Sequence, residues 1–448
     1  MTPSVPAAAL SRGLAWLAML AAILWPIAAH ALPSFAEQTG QPCAACHVGA
    51  FGPQLRPYGR EFKLNGYVAS DGKNHGLPIA AMVLSSFTHT AQGQEGGASR
   101  WFADNDNFAL DQASLYYAGA IDRHLGAFVQ ITYDGVARQL QIDNTDIRYA
   151  RERDIFGIDS VWGLTLNNAP TVQDLWNSTP VWAFPYNGSP LAPTPTAATR
   201  IDGSFSQQVV GLGAYVMWND WVYTEADLYR GLGRDIRNAL GTVPVADSDG
   251  VVDTVPYWRL AVQHDFGRSN WELGTYGIDA NIQPGGISPG GRADHFTDIA
   301  ADANWQFTFT PKLVASDIIS AHATLIHEDQ DLAASSVISG ANPHGHLTTM
   351  RADVSYSIAA TVTPSAQIFQ TTGSSDQPYW STPTGSPNSR GAVLELAYAP
   401  FGKPDSLIKW GNLRLAVQYV LYSEFDGQTQ GASNNNTLYL SAWAAWHF

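Results

Sequence analysis

The sequence contains little cysteine and little charge. Cysteine occurs only twice in 448 residues, at Cys43 and Cys46, and Asp, Glu, Lys and Arg together make up 14%, against roughly 25% in typical soluble proteins. Two thiols exclude a disulfide-rich scaffold. The net charge of −15 argues against nucleic acid as a partner, and it suits metal cations or basic proteins instead.

Long apolar runs are also absent, with one exception at the N-terminus. Residues 1–31 carry one charged side chain, an apolar run over 14–27 and the small-x-small pattern Ala29-His30-Ala31, which together predict a secretory signal peptide cleaved before Leu32. An uncleaved membrane anchor is the alternative, but Pro26 and the shortness of the run argue against it. After this segment, no run is long enough for a transmembrane helix.

Both cysteines stand in the pentapeptide Cys43-Ala44-Ala45-Cys46-His47. Two thiols at this spacing form thioethers to the vinyl groups of haem, and the adjacent histidine reaches the iron as its proximal ligand. A thioredoxin-like redox site would need a βαβ surround, which the Gly- and Pro-rich flanks do not supply. A zinc site would need two further ligands, and His75 is the only other candidate nearby. The motif therefore predicts one covalent haem c, attached through Cys43 and Cys46 with His47 on the iron.

The C-terminal segment alternates strictly between two faces. A period of two residues is that of a strand with one face toward lipid and the other toward a lumen. The segments 125–133 and 413–421 alternate in the same way, and a terminal aromatic residue is common in bacterial outer-membrane proteins. One face carries Leu438, Leu440, Ala442, Ala444, Trp446 and Phe448, and the other carries Thr437, Tyr439, Ser441, Trp443, Ala445 and His447.

Sixteen such segments predict an all-β fold, a transmembrane barrel of about sixteen strands over residues 79–448. The segment from 140 has the poorest alternation. Odd-numbered connections such as 168–208 are long, and even-numbered connections such as 267–269 are short. This asymmetry is expected when long loops are extracellular and short turns are periplasmic. The connection after strand three is the exception. A soluble β-sandwich is the alternative, but it gives no reason for this asymmetry. The predicted starts are residues 79, 108, 125, 140, 155, 209, 220, 256, 270, 296, 312, 346, 363, 391, 411 and 437.

Residues 32–78, here called the N-terminal segment, lie between the signal peptide and the barrel. A stretch this short is near the lower limit for a unit that folds alone. A covalent haem would bury a large apolar ring within it, and a sixteen-stranded barrel otherwise leaves an aqueous channel. We therefore predict that the N-terminal segment plugs or caps the periplasmic end of the lumen.

Three stretches of the N-terminal segment, 33–40, 43–47 and 55–67, resemble the fused cytochrome c–porins of the outer membrane, best known as iron oxidases of iron-oxidising bacteria. Over the barrel the similarity is one of architecture only. The resemblance implies a monohaem protein of the bacterial outer membrane that carries electrons, with Fe(II) as the usual extracellular donor. A periplasmic cytochrome is the expected acceptor, and we expect a monomer surrounded by outer-membrane lipid.

Further residues are candidates for contacts with haem. Arg60 is the first choice for a haem propionate among Arg56, Arg60 and Lys63, because arginine pairs with carboxylates through two hydrogen bonds. His75 is a candidate distal iron ligand, since the N-terminal segment contains no methionine and His75 is its only histidine besides His47. His322 and His447 have lumen-facing parity and are weaker candidates.

Residues predicted in extracellular loops could gather metal cations such as Fe(II). Solvation of these side chains is the simpler alternative, and no hydrolase constellation is present. The candidates are His344 and His346, and the acidic groups Asp104/Asp106, Asp247/Asp249/Asp253 and Glu328/Asp329/Asp331.

Three functions remain open from the sequence. The first is electron transfer from an extracellular donor through haem c to a periplasmic cytochrome. The second is a porin whose N-terminal segment is a plug or a sensor. The third is the same conduit used to export electrons to external acceptors.

Overall fold

In the computed structural model the described residues begin at Pro33, so the predicted signal peptide, residues 1–31, lies outside them. Within the described part of the chain, no helix combines the length and the apolar character needed to cross a bilayer. The structure describes residues 33–203, 205–241, 250–286, 289–408 and 411–448.

Seventeen strands in the described residues form a single sheet. Each pairs antiparallel with its neighbours. The strands are β1 (Ile79–Thr90), β2 (Asn107–Asp122), β3 (Leu125–Asp134), β4 (Gln139–Ile155), β5 (Ile158–Asn167), β6 (Val209–Trp218), β7 (Val222–Gly231), β8 (Gly250–Val252), β9 (Thr254–Asp265), β10 (Ser269–Gln283), β11 (Asp294–Thr308), β12 (Ile318–Asp331), β13 (His344–Ser357), β14 (Val362–Gly373), β15 (Ser389–Tyr398), β16 (Gly411–Glu424) and β17 (Thr437–His447).

The sheet closes into a barrel because its first and last strands pair. The register of β1 with β17 runs from Ala80 opposite His447 to Thr90 opposite Thr437. Strands β8 and β9 both pair with β10 and are separated only by Asp253, whose φ of 62° breaks the ladder. They occupy one position in the wall, so the barrel has sixteen strand positions, which confirms the prediction.

Alternation decides which side chains face inward. In β17 the predicted inner residues Thr437, Tyr439 and His447 are buried, whereas Leu440 on the other face is exposed. In β16, Arg414 and Gln418 are buried and Leu415, Val417 and Tyr419 are exposed. An outer surface covered by Leu, Val and aromatic side chains suits hydrocarbon rather than water, so the wall has the character of a membrane-spanning barrel.

The connections follow the predicted asymmetry between the two ends. The poorly alternating fourth strand exists, although it extends to Ile155 and displaces the start of β5 to Ile158. The predicted start at 312 was wrong, because the turn that contains Pro311 and Lys312 delays β12 to Ile318. The connection 399–410 is an exception, since it is long and lies at the short-turn end.

The lumen contains the N-terminal segment and the connection 168–208, here called the inserted loop. Arg60 reaches Gln306 on the inner wall, and Leu64 of the N-terminal segment shares an apolar cluster with Trp176 of the inserted loop and Tyr215 of the wall. The helices are α1 (Pro33–Thr39), α2 (Cys43–Cys46), α3 (Pro57–Leu64), α4 (Arg234–Leu240), α5 (Ser335–Ile338) and α6 (Gln377–Trp380).

Candidate functional site

The Cys43–His47 motif forms a single helical turn, α2, that ends in an extended residue. Pro42 precedes the turn in an extended conformation, and His47 follows it at φ −113° and ψ 142°. The amide of His47 donates to the carbonyl of Cys43 over 2.8 Å, and the amide of Arg56 donates to the carbonyl of Cys46 over 2.8 Å. These bonds place both thiols and the imidazole on one short, fixed stretch of backbone.

Burial favours the uncharged forms of His47 and Cys46. Burial lowers the pKa of His47 to about 4, although the nearby Gly52 backbone opposes the shift. Burial, followed by the proximity of Cys43, raises the pKa of the Cys46 thiol to about 12. Neither thiol is part of a disulfide, and the buried Nδ1 of His47 has no hydrogen-bond partner among the described residues. A neutral imidazole beside two reduced thiols fits the covalent haem that the motif predicts.

Gly59 controls the approach of α3 to the motif. A Cβ at this position would lie 2.5 Å from the carbonyl oxygen of Cys46 and 3.1 Å from Leu55 Cδ2. Only glycine permits this contact without a shift of the backbone. The sequence reasoning did not identify Gly59, because an isolated glycine within a short helix gives no sign of what it touches.

A small aromatic cluster holds α1 and α3 together. The Phe35 ring stacks on Tyr67 with centroids 5.3 Å apart, and Phe62 meets Phe35 edge-on at 5.0 Å. The Gln38 amide donates to the carbonyls of Tyr67 and Ala69, each at 2.8 Å. The N-terminal segment therefore has a core of its own, but one small enough to need the barrel around it.

The three cations after the motif all contact the barrel or the inserted loop. Arg56 donates to the carbonyls of Ala44 and Val314. Arg60 donates to the Leu55 carbonyl at 3.0 Å and to Gln306 Oε1 at 2.9 Å. Its guanidinium also lies 3.7 Å from the ring centroid of Trp176. The contact of Arg60 with a haem propionate stays a prediction, while the structure shows the guanidinium engaged with the barrel.

Lys63 is the third of these cations. Its Nζ donates to the carbonyls of Val172 and Asp174 and to Asn177 Oδ1, each at 2.7 Å. Burial and the neighbouring Arg148 lower the pKa of Lys63 to about 7. All three acceptors belong to the inserted loop, so this ammonium joins the loop to the N-terminal segment.

His75 and His447 each approach one oxygen of the Glu37 carboxylate. His75 Nε2 is 2.7 Å from Asp71 Oδ1, and its Nδ1 is 3.6 Å from Glu37 Oε1. His447 Nδ1 is 3.0 Å from Glu37 Oε2. The inward orientation predicted for His447 is confirmed, while ligation of haem iron by His75 stays a prediction.

His322 also points inward as predicted. Its Nδ1 lies 2.8 Å from Asp353 Oδ2, and its Nε2 lies 2.9 Å from Gln54 Nε2 of the N-terminal segment. The side chain therefore connects the wall to the plug. Sequence parity identified its face but not the residue that it meets.

Several residues assigned to loops belong to strands instead. His344 and His346 begin β13, and Glu328 lies in β12 with its side chain buried on the inner wall. Asp247 and Asp249 lie outside the described residues. Among the residues that the structure describes, no group of three or more His, Cys, Asp or Glu side chains is arranged to hold a metal ion.

The inserted loop reaches the N-terminal segment directly. Asn177 Nδ2 donates to the carbonyl of Pro53 over 2.8 Å, and the Tyr186 hydroxyl donates to Gln54 Oε1 over 3.0 Å. The Trp176 side chain is 1% exposed. The sequence identified this stretch only as a long connection, although its two tryptophans, Trp176 and Trp182, were a sign that it packs against other parts of the protein.

Comparison with known proteins gives no family for this chain. No family model matches it, and no curated protein matches it. Among solved structures, the chain is similar to outer-membrane expressed OmpT of Vibrio cholerae (9% identity, 83% of this chain, 97% of that chain, TM-score 0.44). It is also similar to the outer membrane channel DcaP of Acinetobacter baumannii (11%, 83% and 96%, TM-score 0.46) and to an anion-selective porin from Comamonas acidovorans (12%, 83% and 99%, TM-score 0.46).

Proposed function

We propose that this chain is an electron-transfer protein of the bacterial outer membrane, related to the fused cytochrome c–porins. It oxidises an extracellular donor, with Fe(II) as the first candidate, and passes electrons to a periplasmic cytochrome. The observation that carries the proposal is the Cys43–His47 motif held in the mouth of a closed barrel, with a neutral imidazole whose Nδ1 has no hydrogen-bond partner among the described residues. A bound haem c would supply a one-electron redox centre there.

The residues of the chain have separable tasks in this proposal. Cys43 and Cys46 attach the group, and His47 offers a neutral nitrogen to the iron. Arg56 holds the surrounding backbone against the barrel, and Lys63 holds it against the inserted loop, which keeps the attachment point in one place. A filled lumen prevents ferric iron formed outside from entering the cell, which matters because ferric iron precipitates near neutral pH.

The orientation follows from the connections. Short turns face the periplasm and long loops face outward in outer-membrane barrels. The N-terminal segment enters β1 beside His447 at the short-turn end, so its motif is near the periplasmic mouth in this orientation. A periplasmic partner could therefore approach it without crossing the membrane.

The test is a spectroelectrochemical titration of the full-length protein in detergent, followed by mixing of the oxidised form with Fe(II). We expect a c-type absorption spectrum, a potential above that of the iron couple at the working pH, and rapid reduction by Fe(II). A Cys43→Ser/Cys46→Ser variant should fold its barrel, as judged by resistance to SDS, but should lack covalent haem. A haem that ignores Fe(II) or has a strongly negative potential would contradict iron oxidation and favour electron export.

The candidate distal ligand is tested in the same samples. Replacement of His75 by Gln removes the imidazole while retaining a side chain that can bond Asp71. If His75 binds the iron, the spectrum should change from low spin to high spin. An unchanged spectrum would show that the ligand is another residue or water.

A porin with a plug or sensor is the second candidate. The barrel architecture is compatible with it, but the N-terminal segment and the inserted loop both occupy the lumen. Solute flux would require both to move. Channel conductance separates this function from electron transfer.

A further inference from the structure

A groove lies on the outer surface of the barrel where β13 to β16 approach the long loops. Its volume is about 490 Å³, and its floor is formed by Ala392 between Met350, Ile368 and Leu421. The side chain of Ile368 is 56% exposed and that of Met350 is 39% exposed, so this floor faces away from the lumen. A small residue between larger neighbours produces a concave apolar strip on an otherwise convex wall.

A break in strand pairing deepens the groove at its upper end. The register of β15 with β16 shifts between Arg390 and Gly391, so that Arg390 opposes Glu424 while Gly391 opposes Tyr422. A Cβ on Gly391 would lie 2.0 Å from the carbonyl oxygen of Leu421 and 2.7 Å from Phe369 Cζ. Gly391 therefore permits the close approach that this bulge requires, since β-bulges bend the strand and redirect side chains.

The end of the groove near the loops is polar. Gln370, Arg390, Ser423 and Asn436 line it there. The Arg390 side chain is 51% exposed, and its Nε lies 3.2 Å from Glu424 Oε2. A carboxylate on the Nε side orients the guanidinium, whose remaining donors suit a phosphate oxygen.

We infer that this groove binds a phosphorylated lipid of the outer leaflet, with one acyl chain along the floor and a phosphate at Arg390. The inference rests on the outer-membrane orientation proposed above, but it is independent of electron transfer. The apolar floor lies toward the middle of the membrane, where acyl chains are found. The polar end lies near the long loops, where the headgroups of the outer leaflet are found. In that leaflet the phosphorylated lipid is the acylated glycolipid lipopolysaccharide.

Charge argues for a specific site rather than general attraction. The chain has a net charge of −15, and a net negative charge argues against a general attraction for anionic lipid. A cation at the end of an apolar groove is therefore a local exception. Arg230 at the long-loop end of β7 is also exposed but does not line this groove, so it provides a matched control.

The experiment is a titration of the full-length protein in detergent with phosphorylated lipid A, followed by native mass spectrometry. We expect one lipid per barrel, with affinity reduced about tenfold by Arg390→Gln, the loss expected for a hydrogen bond to a charged group at an exposed site. Ala392→Phe, which fills the groove without touching the cation, should reduce binding at least as much. Arg230→Gln should leave binding unchanged.

Two other ligands are titrated in the same way. One is dephosphorylated lipid A, and the other is phosphatidylglycerol. The dephosphorylated lipid should bind the natural chain about as weakly as phosphorylated lipid A binds the Arg390→Gln variant. Equal binding by all variants, or an equal loss in Arg230→Gln, would overturn the site. Equally tight binding of phosphatidylglycerol would overturn the assignment to the outer leaflet. Resistance to SDS confirms that each variant is folded, and the haem spectrum of the same samples reports separately on the proposed function.

Discussion

Gly59 sets how closely α3 approaches the Cys43–His47 motif. A methyl group there would lie 2.5 Å from the carbonyl oxygen of Cys46, so Gly59→Ala should force α3 away from the motif. Overpacking of this kind costs about 1–3 kcal/mol. With haem c bound as proposed, its visible spectrum should change at a lower denaturant concentration in this variant than in the natural chain. Gly188→Ala, where a Cβ meets nothing within 4 Å, should unfold like the natural chain.

Lys63 should make the docking of the N-terminal segment depend on pH. Its pKa is about 7 in the folded protein, against the ordinary value of 10.5 for a lysine, so the released segment binds more protons between these two pH values. Docking should therefore strengthen as pH rises from about 7 toward 10.5, by at most about 1.4 kcal/mol per pH unit. Protection of the N-terminal segment from protease should increase between pH 7 and pH 9, and this increase should vanish in Lys63→Met. An unchanged increase in the variant would assign the effect to another group.

At the scale of elements, the inserted loop connects the outer half of the lumen to the N-terminal segment. Trp176 packs with Leu64 and lies beneath the Arg60 guanidinium. Trp176→Ala should cost about 3 kcal/mol or more, because a buried aromatic is removed together with a cation–π contact. We expect faster proteolysis of the N-terminal segment from the intact barrel. Trp101→Ala is the control, since Trp101 is 52% exposed, and an equal effect there would contradict this assignment.

The outer faces of the strands are in contact with lipid, so their stability depends on apolar side chains there. Leu394 is 51% exposed in the middle of the outer face of β15. A charge at such a position costs about 2–4 kcal/mol in a bilayer, so Leu394→Arg should lower the stability of the barrel refolded into lipid vesicles. Leu77→Arg is the control, because Leu77 is 74% exposed and precedes β1. Equal losses for the two would argue against a lipid-facing wall.

For the whole molecule, the decisive property is whether the lumen conducts. The N-terminal segment is joined to the wall through Gln306, His322 and Asn412, and the inserted loop lies against it. We expect the full-length protein in a planar bilayer to conduct far less than an open sixteen-stranded porin. Trp176→Ala should raise the conductance, because it loosens both parts of the plug. A large conductance from the natural chain would favour the porin function.

Features that depend on neighbouring residues could be predicted from the sequence. A two-residue period specifies which face of a strand is apolar, and it predicted sixteen strands with most starts within three residues, including the weak fourth strand. The pentapeptide Cys43–His47 likewise specifies donors that are neighbours in the chain. These signals are local, so no knowledge of distant contacts was needed to read them.

Contacts between residues that are distant in the chain became apparent from the folded barrel alone. The sequence predicts a cluster of cations that could face haem, namely Arg56, Arg60 and Lys63. In the structure, Lys63 donates to the inserted loop and Arg60 donates to Gln306. The inserted loop could have been an external loop on the evidence of its length alone. Its position inside the lumen follows from burial of Trp176 and Tyr215 together, because closing a barrel brings residues far apart in sequence around one enclosed space.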